Sequence, residues 1–389
     1  MNLLLINYEY PPIGGGAGNA TLFLARALHR LGHRVTVLTS AYAEHSGLLE
    51  DAGVAVHRLN VGRRAADRAS EREMFSFLLA AMRAAPSIAA SASIDAVIVF
   101  FTLPCGPVAL RLSRAMGLPY VVSLRGGDVP GFVPEIAWQH RLLTLLRRRV
   151  LRHALAIVAN DAGLARLSAL ADPYAVKVIP NGVDSRFFVP RSVPEAPGGP
   201  TRVLFVGRFH RQKNLPFFLQ QMAGLHAAGP DDWRLALVGD GEERRALERD
   251  VRSLGLTAIT TWHGWQRDKA ELLGLYQQAD VVVNPSLYEG MPNVVLEAMA
   301  CGLPVVASAV PGNDSLVRPG ETGFLFPAGD GGALRAALRE VREKPAQARI
   351  LGQNGRRRVE QEFSWEQVAR GYLDLFNPAS RSESRHEIS

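Results

Sequence analysis

Near the N-terminus, Leu3-Leu4-Leu5-Ile6-Asn7 leads into Pro11-Pro12-Ile13-Gly14-Gly15-Gly16, and from there into Asn19–Leu31 and Val35–Thr39. The first run has the length and uniform apolarity of a strand buried on both faces in a parallel sheet. The glycines make a loop in which backbone can come close to a ligand. Asn19–Leu31 carries a helical apolar period and stops at Gly32, and Val35–Thr39 is a second strand. Strand, glycine loop, helix and strand make a βαβ unit with glycines where phosphate-binding loops stand, the opening of a Rossmann-like domain.

The same alternation continues outward. Further strands are predicted at Ala96–Phe100, Tyr120–Leu124, Leu155–Ala159 and Lys177–Ile179. Arg191–Pro200, rich in Pro and Gly, reads as a linker. The alternation then restarts: strand Arg202–Gly207, helix Pro216–Ala228, strand Arg234–Val238, helix Glu242–Leu254, strand Ala258–Trp262, helix Lys269–Ala279, and strands Val281–Pro285 and Val305–Ser308. Two consecutive α/β halves predict two doubly wound Rossmann-like domains facing a central cleft, with ligands beyond the carboxyl ends of the strands. The polar end, Pro378–Ser389, carries no apolar period and is predicted to be a disordered tail.

Composition narrows the class. The chain has 389 residues, 47% hydrophobic and 21% charged, enough for two domains with real cores, and a formal net charge of +7. The two cysteines, Cys105 and Cys301, give neither a disulfide framework nor a metal cluster and fit a reducing compartment. Met1–Tyr10 lacks the basic start and long apolar run of a signal peptide. No uninterrupted apolar run reaches the roughly 18 residues of a membrane span. These features predict a soluble, cytoplasmic protein. The positive charge is concentrated in Gln139–His153, where Arg141, Arg147, Arg148, Arg149 and Arg152 interleave with leucines. That pattern admits two readings: a helix packing its leucines on the first sheet, or an amphipathic helix lying on the inner, anionic face of the cytoplasmic membrane. No zinc module or aromatic–basic stripe points to nucleic acid.

The strongest local signal is Glu289-Gly290-Met291-Pro292-Asn293, continuing through Glu297 to Gly302. It follows a strand and opens a helix, with Asn293 placed to cap it. A helix N-terminus between two carboxylates suits a phosphate flanked by two hydroxyl-rich groups. An isolated pair of this kind is also what a capped surface helix shows.

This segment resembles the donor-binding signature of family 4 glycosyltransferases, which adopt the GT-B fold. The resemblance extends in order through Pro180-Asn181-Gly182-Val183-Asp184, Gly207-Arg208-Phe209 with Lys213-Asn214, Asp280–Ser286, Pro304–Ser308 and Phe363-Ser364-Trp365. It implies an N-terminal acceptor domain over 1–184, a nucleotide-sugar domain over 185–365 and a closing helix over 366–377 before the tail 378–389. Arg208 and Lys213 would neutralise the donor diphosphate, Glu289 would hold the transferred sugar, and Glu297 the ribose. Gly290, Met291, Pro292 and Asn293 would line the sugar or phosphate, Gly239 the nucleobase pocket. In the first domain Gly15 and Gly16 would approach the donor, and Gly14 the acceptor. Arg125 and Asp128 stand in an Arg-Gly-Gly-Asp loop where many relatives carry a histidine. This departure leaves open whether Arg125 meets an acidic acceptor and Asp128 orients its hydroxyl, or whether the two are a surface pair.

The implied reaction retains the anomeric configuration. The co-substrate is a UDP- or GDP-sugar and the acceptor a glycan, lipid-linked or small-molecule hydroxyl. No other cofactor is implied. The chain has no Asp-x-Asp pair, and Arg208 with Lys213 would replace a metal's charge. A sugar-nucleotide epimerase of the same fold and a catalytically silent nucleotide- or glycan-binding partner are the competing readings.

Overall fold

The computed structural model describes residues 1–65, 69–133, 136–192, 198–266 and 268–377. It divides at Gly182/Val183 and Ser364/Trp365 into two compact units.

The first unit is built on an eight-stranded sheet. In chain order it holds β1 (Asn2–Ile6), α1 (Gly16–Arg30), β2 (Arg34–Ser40), β3 (Gly47–Asp51), β4 (Val54–Leu59), α2 (Glu71–Ser91), β5 (Ala96–Phe100), α3 (Gly106–Met116), β6 (Tyr120–Leu124), α4 (Ala137–Leu142), α5 (Thr144–Arg152), β7 (Ala156–Ala159), α6 (Ala162–Ala171) and β8 (Lys177–Val178). The strands lie in the order β3-β4-β2-β1-β5-β6-β7-β8, parallel except for β3 against β4. The central strands are apolar on both faces because helices cover both. Phe77, Ala81, Val108 and Leu112 of α2 and α3 pack on one face, and Leu24, Ala25 and Leu28 of α1 on the other.

The second unit is a six-stranded parallel sheet. It holds β9 (Thr201–Val206), α7 (Leu215–Ala228), β10 (Trp233–Val238), α8 (Arg244–Ser253), β11 (Thr260–His263), α9 (Lys269–Gln278), β12 (Val281–Asn284), α10 (Asn293–Ala300), β13 (Val305–Ser308), α11 (Pro311–Leu316), β14 (Gly323–Phe326), α12 (Gly331–Glu343) and α13 (Pro345–Glu362). The order is β11-β10-β9-β12-β13-β14. The strand order reverses between β9 and β12, so the loops leaving those two strands share one end of the sheet. That is the switch point at which doubly wound sheets bind ligands. Helix α14 (Trp365–Asp374) belongs to the first unit. It lays Trp365, Val368, Ala369 and Tyr372 on the same face as α1, with Trp365 stacked on Phe23 at 5.6 Å and the Tyr372 hydroxyl 2.7 Å from Ser123 Oγ.

Several expectations need correction. The first helix starts at Gly16, three residues early, because glycine at the N-cap, Gly15, lets the loop enter the helix directly. The segment expected as the strand Ala258–Trp262 opens with a 3-10 turn over Thr257–Ile259 before β11. Gln139–His153 is not one helix: it breaks at Leu143 into the end of α4 and all of α5. Helix α2 is long and apolar enough, by length and composition, to cross a membrane. One of its faces, Phe77, Ala81, Ala85, Ile88 and Ala89, is nevertheless buried in the first unit. Part of the predicted linker, residues 193–197, and the predicted tail, 378–389, lie outside the described residues.

Candidate functional site

The carboxyl ends of β9 and β12 carry the chemistry. After β9 the chain makes Gly207-Arg208-Phe209, then a 3-10 turn over Arg211–Lys213 whose amide at Gln212 is capped by His210 Nδ1 at 3.2 Å. Asn214 takes a left-handed conformation, φ 53°, and releases the chain into α7. After β12 the chain makes Asn284-Pro285-Ser286-Leu287-Tyr288-Glu289. The two loops are stitched together: Leu287 N donates to Gln212 O at 2.8 Å and Gln212 Nε2 to Tyr288 O at 2.8 Å.

This stitching brings Lys213 and Glu289, 76 residues apart, into one ion pair of 2.5 Å between Nζ and Oε1. Glu289 is buried, and Ser286 Oγ donates to the same oxygen at 2.6 Å. Lys213 also lies over Gly207, whose missing Cβ would stand 3.6 Å from Lys213 Cε. Arg208, half-buried, follows that glycine directly. Arg208 and Lys213 thus follow the end of β9, and Glu289 the end of its neighbour β12.

Below them runs a buried polar network. Asn284 Nδ2 donates to Asn313 Oδ1 at 2.9 Å, Asn313 Nδ2 to Ser308 O at 2.9 Å, and Ser308 Oγ to Ser286 O at 2.5 Å. Buried polar groups are stable only when satisfied in this way, and a satisfied network holds one geometry. Asn284, Ser286, Ser308 and Asn313 were not among the expected site residues. Their signal is a polar residue closing an otherwise apolar strand run, as in Val281–Asn284 and Val305–Ser308.

Helix α10 starts at the site. Its N-cap is Pro292 and Asn293 is its first residue, so the capping role expected for Asn293 is corrected. Gly290 is pressed from behind by α11: a Cβ on Gly312 would lie 2.1 Å from Gly290 O. Met291 and Pro292 are buried in the turn between them. The helix dipole presents its positive end there.

Glu297 lies on the next turn of α10. Its Oε2 accepts the Tyr276 hydroxyl at 2.8 Å. Burial pushes the Glu297 carboxyl up to about 7, against the Tyr276 hydrogen bond and the Lys269 charge, which act to lower it. Tyr276 is a further residue the sequence did not single out. If Glu297 grips vicinal hydroxyls as a carboxylate, affinity must fall as pH drops through about 7, where it protonates. The expected result is a nucleotide-sugar bound about tenfold more weakly at pH 6 than at pH 8 by calorimetry, because such a group is about one-tenth carboxylate one unit below that value and about nine-tenths one unit above. Glu297→Gln flattens the profile; a wild-type profile that is already flat removes the role.

Gly239, Asp240 and Gly241 close β10. A Cβ on Gly241 would meet Phe209 O at 2.4 Å, so the two strand ends lie backbone to backbone. Beside them Phe209 packs edge-on against Trp262 at 5.8 Å, and the Arg244 guanidinium lies 4.2 Å over the Trp262 ring.

In the first unit Gly14 is left-handed, φ 88°, with its Cα facing the Glu9 side chain; Gly15 caps α1 and Gly16 begins it. Asp128 is buried and fully engaged. Its Oδ2 accepts Thr102 N at 2.7 Å and Thr102 Oγ1 at 3.1 Å, and its Oδ1 accepts Arg125 N at 2.9 Å. It clamps the loops after β5 and β6. Arg125 lies 4.5 Å over the Phe100 ring and donates to Asn181 Oδ1 at 2.7 Å and, at 3.4 Å, to the Tyr372 hydroxyl. The two are not a surface pair; both side chains tie elements of the unit together.

Two protein families match the chain by their models: glycosyl transferase 4-like domain over residues 15–182, and glycosyl transferases group 1 over residues 200–344. Glycogen synthase of Mycobacterium tuberculosis is 27% identical, covering 98% of this chain and 96% of its own. D-inositol 3-phosphate glycosyltransferase of an Arthrobacter species is 28% identical, covering 95% and 92%. Among solved structures, sucrose-phosphate synthase from Thermosynechococcus elongatus superposes with a TM-score of 0.84 at 28% identity, covering 97% and 98%.

Proposed function

The chain is a glycosyltransferase of the family 4 type with the GT-B fold, and from that premise we propose its donor, its stereochemistry and the roles of its site residues. The donor is a UDP- or GDP-sugar bound at the strand ends of the second unit. The acceptor is a hydroxyl of a glycan, a lipid-linked sugar or a small molecule, and the sugar is transferred with retention.

The observation that carries this reading is the Lys213–Glu289 pair beside Arg208 at the start of α10. Cations and a helix N-terminus at one point suit a diphosphate leaving group. Charge develops on its bridging oxygen as the glycosidic bond breaks, and fixed cations stabilise that charge without reorganising. Glu289, held by Lys213 and Ser286, is an acceptor of hydrogen bonds and fits sugar hydroxyls. Glu297 fits the ribose, and the turn at Gly239 the base. In the step itself, the bond from the anomeric carbon to the phosphate oxygen breaks and a bond to the acceptor oxygen forms on the same face. The acceptor proton passes to the departing phosphate oxygen. Arg208 and Lys213 take the place of a metal. In the first unit Gly14 would meet the acceptor through backbone, while Arg125 and Asp128 position the loops that carry acceptor contacts.

Thermal stabilisation across a panel of nucleoside diphosphates and nucleotide-sugars, with and without chelator, tests the reading. A shift confined to one base and its sugar conjugates, undiminished by chelator, is expected. No shift with any nucleotide would overturn the donor assignment, and a shift lost on chelation would overturn metal independence. Peripheral contact with an anionic membrane through Gln139–His153 completes the proposal: Leu142 and Leu145 are exposed instead of packing on the sheet.

A further inference from the structure

Helix α5 has one buried and one open face. Arg147, Val150 and Leu151 turn inward, and Arg147 donates from Nε and Nη2 to Asp172 at 2.6 and 3.1 Å. Arg148 adds a third bond to Asp172, Nε to Oδ1 at 2.8 Å. Burial alone would raise the Asp172 carboxyl; its two arginines hold it below the ordinary range. These two arginines are therefore structural. The remaining ones are not committed in that way.

On the open face of α5 Leu145, Arg149 and Arg152 follow one another at helical spacing, and Leu142 ends α4 just before the break at Leu143. Arg149 and Arg152, with Arg114 from the end of α3, Leu145, His153, Tyr174 and the Asp172-bound Arg148, line a groove of ≈ 490 Å³. Among the described residues no carboxylate pairs with Arg114, Arg149 or Arg152. Around this cationic groove the surface is apolar: Leu145 is 86% exposed, Leu142 75% and Trp138 61%. Gln139 Nε2 donates to Glu71 Oε1 at 2.6 Å, and Phe75, one turn along α2 from Glu71, is 61% exposed.

Large apolar side chains left in water next to uncompensated arginines are costly for a surface that meets only solvent. The combination is complementary to one environment, the boundary of an anionic bilayer, where apolar side chains enter the acyl region and arginines meet lipid phosphates. We propose that the Arg114–Arg149–Arg152 groove is a headgroup site for an anionic phospholipid, with Trp138, Leu142 and Leu145 inserted beside it. This rests on the membrane-contact part of the proposed function and assigns that contact to particular side chains. It places the protein on the membrane by the outer side of α4 and α5, so that lipid-linked acceptors are met at the surface where the enzyme resides.

Cosedimentation of the full chain with vesicles tests it, using pure phosphatidylcholine and equal parts phosphatidylcholine and phosphatidylglycerol. The wild-type chain is expected to sediment with the second only. Arg114→Ala/Arg149→Ala/Arg152→Ala is expected to lose roughly a hundredfold in partitioning, about fivefold for each arginine near an anionic surface. Leu142→Asn/Leu145→Asn should lose binding as well, and nucleotide-induced thermal shifts in both variants show that they fold. If the arginine variant binds as wild type while the leucine variant does not, the headgroup site is wrong and the membrane contact stands. If the wild-type chain binds neither vesicle, both fall.

Discussion

Lys213→Ala lowers turnover by about a hundred- to a thousandfold, the usual cost of removing one fixed positive group from a developing anion. The cation is lost at the point where the leaving diphosphate gathers charge, so kcat falls more than donor affinity does. A second effect accompanies it. Glu289 is buried, and Lys213 is its ion-pair partner at 2.5 Å. Removing one member of a buried pair strands the other, which costs roughly 3 kcal/mol at the lower end of the usual range, Lys213 keeping some contact with water. The two effects separate in a double variant. Glu289→Gln in the Lys213→Ala background removes the stranded charge and is expected to restore the melting temperature, yet it leaves turnover low. Restoration of both would mean that Lys213 serves only to neutralise Glu289. A single Lys213→Ala variant with wild-type kcat would remove the phosphate role outright.

That pairing was the part of the site least legible in the sequence. Both residues could be named from their motifs, but the sequence gives no sign that the turn at Arg211–Lys213 folds its lysine onto a carboxylate 76 residues away. The strands were legible because a parallel strand covered on both faces must be apolar throughout, as Leu3–Ile6, Ala96–Phe100 and Val281–Val283 are. In the hairpin of β3 and β4, Gly47–Asp51 was missed for the converse reason: it is an edge strand without a buried side chain, so no periodicity marks it, whereas Val54–Leu59 does alternate and its period was overlooked. The Arg-Gly-Gly-Asp loop shows a different limit. Its charged residues look like ligands in sequence, whereas Asp128 spends both oxygens on Thr102 and Arg125 and Arg125 turns inward to Asn181. Polar residues at strand ends serve either the ligand or the loops that hold it, and only their partners distinguish the two. The basic segment was read correctly for charge and wrongly for shape: the period runs through Leu143, where the helix does not.

Gly239→Ala should abolish nucleotide binding and destabilise the second unit by roughly 2–4 kcal/mol, as backbone clashes in the tail of mutational effects do. Two costs combine. At φ 134° the residue occupies a region open essentially to glycine alone. A Cβ there would also stand 2.0 Å from Gly207 O. Neither atom can step aside cheaply, because Gly207 N donates to Val238 O at 3.0 Å and Gly239 N to His263 O at 2.9 Å. The ends of β9, β10 and β11 are locked at these two glycines, and the residue after Gly207 is Arg208. Relief of the clash therefore displaces the arm that carries Arg208 and Lys213, and with it the phosphate contacts. Gly255→Ala separates the two costs: it has φ 70° and open space around the missing Cβ, so it bears conformational strain without a clash. It is expected to lose about 1 kcal/mol and no affinity. Calorimetry with the cognate nucleotide on both variants decides the matter. If Gly239→Ala binds as tightly as wild type, the nucleotide does not lie at the ends of β9 and β10, and the roles of Arg208 and Lys213 fall with it.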